Sequence, residues 1–66
     1  MAQYVLQLNG TTPPKYILAV QRDSTGAITG YTTTTTITMA WSGNENDAIA
    51  LGTELAGLVG TTPIRK

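Results

Sequence analysis

SGNENDAIALGTELAGLVG, Ser42 to Gly60, decides the fold, because no other segment of the chain reads as a helix. Its start is marked twice. Ser42 with Glu45 matches the S-x-x-E capping box, and Asn44 with Asp47 repeats the arrangement two residues on. With Asn44 as the N-cap, Glu45, Asn46 and Asp47 fill the first turn, where carboxylates meet the positive end of the helix dipole. Ala48, Leu51, Leu55 and Leu58, with Ile49, Gly52, Ala56 and Val59, then make a broad stripe at helical spacing. Gly60 suits a left-handed C-terminal position, and Pro63 limits further helix. Ala48, Gly52, Ala56 and Gly60 form a seam of small side chains at four-residue intervals. Gly52 and Gly57 each cost up to ~1 kcal/mol of helix propensity relative to alanine. Close packing of this seam on the chain's own sheet is the expected compensation, with a helix–helix contact between copies as the second use.

Upstream, the pattern changes to strands. In Ala2–Leu8, Tyr4, Leu6 and Leu8 point one way and Gln3, Val5 and Gln7 the other. Asn9-Gly10 followed by Thr11-Thr12-Pro13-Pro14 is turn chemistry. Lys15–Arg22 reads as a second strand, with Tyr16, Leu18 and Val20 on one face and Ile17 and Ala19 on the other. Both faces being apolar, it is expected to be central or covered by a neighbouring subunit. Asp23-Ser24-Thr25-Gly26 makes a hairpin loop. A third strand, or two joined by a bulge at Gly30, is expected from Ala27 to Trp41, with Ile37, Met39 and Trp41 on one face. The expected fold class is α+β: an antiparallel three-stranded meander followed by one C-terminal helix packed on it, β-β-β-α.

The 66 residues allow a single domain, 1–66. A chain of this size buries only ~60% of its unfolded surface. Small domains compensate with disulfides, metal or self-association. There is no cysteine and no histidine, and the four carboxylates do not follow a calcium-loop spacing. A homo-oligomer is therefore expected. Four cations balance four acids, so nothing attracts the chain to a phosphate backbone, and general DNA or RNA binding is not expected. The opening MAQYVLQLNG lacks a basic region followed by a long apolar run, and no segment approaches ~18 apolar residues, so neither a secretory leader nor a membrane partner is expected. Absence of cysteine fits the cytosol.

Groups able to transfer protons near neutral pH are scarce, so no enzyme, cofactor or metal is expected. Ser24 and Ser42 have turn and cap roles, Glu45 and Asp47 belong to the helix start, Asp23 to the hairpin loop, and Glu54 to a solvated helix face. Two near copies do stand out. Gly10-Thr11-Thr12-Pro13-Pro14-Lys15 and Gly60-Thr61-Thr62-Pro63-Ile64-Arg65 each read G-T-T-P-x followed by a cation. One reading is a pair of Thr-Pro connectors sharing turn chemistry. The other sets Thr11, Thr12, Thr61 and Thr62 hydroxyls with Lys15, Arg65 or Lys66 around an anion, with Arg22 joining from another subunit. Tyr4, Tyr16, Tyr31 and Trp41 supply rings, of which Tyr31 or Trp41 would stack on a base; each is also a candidate for core or interface. The run Thr32–Thr36 reads as a solvated or edge strand, or as a hydroxyl-lined binding surface.

In character the chain resembles small accessory proteins encoded by bacteriophages. GTTPPK, TTTTT and NENDAIALGTELAGLVG carry the likeness, in a very short cysteine-free chain that opens at Met1. The resemblance implies the host cytosol and two kinds of function. One is counter-defence, in which small oligomers sequester a nucleotide-derived immune signal or occlude a host protein. The other is virion structure, such as capsid decoration. The expectation carried forward is a non-enzymatic homo-oligomer capturing a small anionic, nucleotide-like ligand at a subunit interface through Lys15, Arg22, Arg65, Thr11, Thr12, Thr61, Thr62 and Tyr31 or Trp41. Its alternatives are a decoration protein and an inhibitor that adds its Thr-rich edge to a host protein's sheet.

Overall fold

A computed structural model describes residues 2–66. It is α+β, with a four-stranded antiparallel sheet and one α-helix. The elements in chain order are β1 (Tyr4–Leu8), β2 (Tyr16–Arg22), β3 (Ile28–Thr34), a 3-10 turn (Ile37–Met39), α1 (Glu45–Leu55) and β4 (Thr61–Arg65). The sheet order is β3-β2-β1-β4. The expected sheet of three strands is thus one strand short, and the helix is not the last element. The second G-T-T-P copy, expected as a connector, is β4: Thr61 to Arg65 pair in order with Leu8 back to Tyr4. Pro63 is tolerated because β4 is an edge strand with β1 on one side only.

α1 begins as the sequence indicates. Asn44 is the N-cap, and its Oδ1 accepts from Asp47 N–H at 2.8 Å, with Glu45 and Asp47 in the first turn. The helix ends at Leu55, earlier than Gly60, and its last carbonyl accepts from both Leu58 and Val59 N–H at 2.8 Å. Among the described residues positive φ occurs only at Gly10 and Gly26, so Gly60 is not a left-handed cap. Its carbonyl instead accepts from Asn9 N–H at 3.0 Å, which starts the β1–β4 ladder. The stripe narrows to Ala48, Leu51 and Leu55, while Ile49 and Leu58 are half exposed.

Two irregularities break the simple alternation of β2 and β3. The β2–β3 register shifts at Leu18, between Ile17↔Thr33 and Ala19↔Thr32, and again opposite Thr29, between Gln21↔Gly30 and Arg22↔Ile28. Each extra residue flips the parity of the strand beyond it. Ile17 and Val20 therefore both join the helix-side core, with Ile28 and Tyr31, and Leu18 is left exposed. The expected grouping of Tyr16, Leu18 and Val20 against Ile17 and Ala19 fails for that reason.

The third strand stops at Thr34, not Trp41. Thr34 Oγ1 captures Thr36 N–H at 3.1 Å, a local bond that competes with the ladder. Met39 and Ala40 N–H then close onto the Thr36 and Ile37 carbonyls. The chain from Trp41 to Gly43 enters the space between β1 and β2, whose one registered pair is Gln7↔Tyr16. Trp41 N–H donates to Ile17 O at 2.9 Å, and Gly43 exchanges two backbone hydrogen bonds with Tyr4. The core is Leu6, Leu8, Ile17, Ala48, Leu51 and Leu55. Val5 and Ala40 are buried away from it.

α1 packs chiefly over β1 and β4. Its small-residue seam is used on the chain's own sheet: a Cβ on Gly52 would stand 3.1 Å from Thr61 Oγ1 and 3.5 Å from Leu6 Cδ2. The helix side of β2 and β3 lies beyond the helix, and a cleft opens there.

Candidate functional site

The cleft lies between β2 and α1, with a volume of about 300 Å³. Its apolar lining comes from Ile17, Val20, Leu51 and Trp41, and its charged groups are Arg22, Asp47 and Glu54. Helical spacing supplies one wall, since positions 47, 50, 51 and 54 fall on one stripe. The other wall follows from the bulge at Leu18, which turns Val20 and Arg22 toward the helix. Tyr31 pairs with Val20 across the β2–β3 ladder and so shares its face. A volume of this size sits at the small end of ligand sites, which are mostly apolar with a few placed polar groups.

Arg22 closes one end. Its Nη1 donates to Glu54 Oε2 at 2.7 Å and to Gly26 O at 2.8 Å, and Nη2 to Glu54 Oε1 at 3.5 Å. The hydrogen bond from Arg22 holds the Glu54 carboxyl below the ordinary carboxylate range, and the same bond raises Arg22. Both side chains remain well exposed, so the pair is an exchangeable latch and not a buried strut. Asp23, in the adjoining hairpin, is engaged by its own loop. Its Oδ1 accepts from the Thr25 hydroxyl at 2.6 Å, Thr25 N–H at 2.8 Å and Ala27 N–H at 3.1 Å. The Thr25 hydroxyl, above all, keeps this carboxyl below its ordinary range.

Of the residues expected to bind a ligand, Arg22 and Trp41 share the cleft and Tyr31 stands on the same sheet face. The G-T-T-P residues do not join them. Thr11 Oγ1 donates to Leu8 O and accepts from Lys15 N–H, fixing the β1–β2 turn that carries Thr12 and Lys15. Thr62 Oγ1 donates to Asn9 Oδ1 at 2.6 Å. Thr61 lines a second, uncharged groove of about 370 Å³ between α1 and β4, with Gly52, Ala56, Ile49, Thr53 and Pro63. The two copies meet at Asn9, then part. Lys15 stays at the Leu8 end of β1, and Arg65 pairs with Tyr4 at the other, about 13 Å away at ~3.3 Å per residue. The two cations therefore stem from opposite ends of β1 and from strands on either side of it.

Asp47, Glu54 and Val20 were not singled out as site residues by sequence reasoning. The helical spacing of Asp47 and Glu54 was legible; which flank of the helix met open sheet was not. No group of metal-ligating side chains occurs among the described residues, and no described helix is long and apolar enough to cross a membrane.

No family model, curated protein or solved structure matches the chain. The functional reading therefore rests on the cleft and the surfaces around it.

Proposed function

We propose that this chain is a non-enzymatic, homo-oligomeric binding protein that takes up a small anionic, nucleotide-like ligand between copies, with the β2–α1 cleft as its recognition surface. The single observation that carries the reading is the meeting of Arg22 and Trp41 in one cleft, with Tyr31 on the same face. A guanidinium supplies forked hydrogen bonds to phosphate, and the rings supply stacking area. A phosphate arriving there exchanges with Glu54 for Arg22. Lys15 and Arg65, which stem from opposite ends of β1, lie outside this cleft and add charge from a neighbouring copy. In the setting implied by the phage resemblance, such a protein would act by sequestering a nucleotide-derived signal. The test is titration calorimetry and thermal shift with mono-, di- and cyclic nucleotides on material of known mass. Saturable binding that is lost in Arg22→Ala supports the reading, and no binding by any of them ends it.

A second reading is favoured by a different observation. β3 is an uncharged edge strand, which suits an assembly or docking protein, whether in a shell or on a host protein's sheet. That reading expects host-protein capture or assembly into larger particles, no saturable nucleotide binding, and indifference to Arg22→Ala.

A further inference from the structure

The two edges of the sheet are unlike. β4 carries Pro63, which has no N–H, and Arg65, with Lys66 just beyond the strand, and Thr62 is tied to Asn9. Proline and charge are the usual protection of an edge against pairing. β3 has neither. From Ser24 through Asn44 no residue is charged and none is proline, and Thr29, Thr32, Thr33 and Thr34 give the strand β-branched residues without a charge. The apolar shelf outside the helix runs to this same edge: Val20, then Tyr31 beside it, and Ile28 opposite Arg22, all half-buried. Bare backbone and an unfinished apolar face thus end at one line.

We infer that β3 pairs antiparallel with β3 of a second copy about a twofold axis perpendicular to the sheet. This joins two four-stranded sheets, in the order 4-1-2-3 then 3-2-1-4. The occupant is a second copy because the edge is self-complementary. It is neutral, so two copies meet without like charges, and an isologous contact satisfies both edges at once. A perpendicular twofold leaves both helices on one side. The central four strands become the floor of a trough, and the two helices become its walls, roughly 20 Å apart from strand spacing and helix diameter. The trough carries Arg22, Tyr31 and Trp41 from each copy, facing each other across the axis. The β2–α1 cleft of each copy then opens onto this shared floor. The inference rests on the homo-oligomer part of the proposed function and specifies its surface.

The test is sedimentation of the wild type and two variants across a dilution series, with circular dichroism to confirm folding. Thr32→Lys with Thr34→Lys places like charges on the facing edges, while Ala56→Lys blocks the α1–β4 groove and spares β3. The expected result is a dimeric wild type, a folded monomeric Thr32→Lys/Thr34→Lys variant and a dimeric Ala56→Lys variant. A wild type that is monomeric throughout overturns both the edge pairing and the oligomer. A wild-type oligomer dissolved by Ala56→Lys, or untouched by the two lysines, overturns the edge pairing and leaves the oligomer standing. Should the double variant not fold, amide exchange of the wild type decides: protection within Ile28–Thr34 that rises with protein concentration supports the pairing, and protection independent of concentration refutes it. Calorimetry with nucleotides reads the ligand separately, so loss of that reading is not confused with loss of this one.

Discussion

Gly52→Ala tests the placement of β4 beneath the helix, on which the open flank of the sheet depends. In an isolated helix the change gains ~1 kcal/mol of propensity. Here the new Cβ stands 3.5 Å from Leu6 Cδ2, an ordinary contact, and 3.1 Å from Thr61 Oγ1, which is too close by a few tenths of an ångström. Thr61 is held in register opposite Leu8, so its backbone stays in place and Oγ1 yields only by turning about a stiff β-branched χ1. Overpacking of a tight contact costs about 1 kcal/mol at its low end, so the two effects nearly cancel. In a Thr61→Ala background the obstructing oxygen is gone, and Gly52→Ala then stabilises by ~1 kcal/mol, a rise in Tm of ~4–8 °C for a domain of this size. The assay is a double-mutant cycle by urea unfolding, followed through the single tryptophan, Trp41. A full ~1 kcal/mol gain from Gly52→Ala alone, with no coupling to Thr61→Ala, would refute the packing of α1 on β4.

Three other outcomes are expected of the same structure. Glu54→Gln removes the carboxylate that competes for Arg22, so an anionic nucleotide should bind more tightly by calorimetry; weaker binding would refute that competition. Leu55→Ala empties a fully buried core position and should cost ~2–5 kcal/mol in urea unfolding, against a total of ~3–10 kcal/mol expected for 66 residues. Asp23 has a lowered folded pKa, so the stability it contributes is present above its unfolded value and is lost as pH falls through the folded one. Glu54 behaves alike, so Tm should fall below about pH 4, less steeply in Asp23→Asn.

The helix start and the hairpin loop were legible because both are local. Asn44, Glu45 and Asp47 state a helix N-terminus within four residues, and Asp23 to Gly26 state a turn within the same span. The face of β1 was legible too, since its alternation is unbroken. Three features depended on distant partners and were not. Pro63 marks an end in local terms, yet β1 recruits Thr61–Arg65 as an edge strand where the missing N–H faces outward. The alternation of Ile37, Met39 and Trp41 fits a strand, but Thr34 and Thr36 form a local turn first. The parity change at Leu18 has no signature in a run of uniformly apolar residues, and it decides which side chains of β2 face the helix. The candidate site shows the same division. Arg22, Tyr31 and Trp41 were visible as chemistry and the structure brings them to one face. The paired G-T-T-P segments were visible as a repeat, but one became a turn and the other a strand, which separates their cations.

A ligand surface shared between copies, as proposed, makes nucleotide binding depend on assembly. Light scattering across a dilution series, with and without saturating cyclic nucleotide, tests this dependence most directly. The expected result is a mass of twice the chain or a multiple of it, and nucleotide binding that weakens as the assembly dissociates. A single-chain mass at every concentration, with nucleotide affinity unchanged, would contradict it.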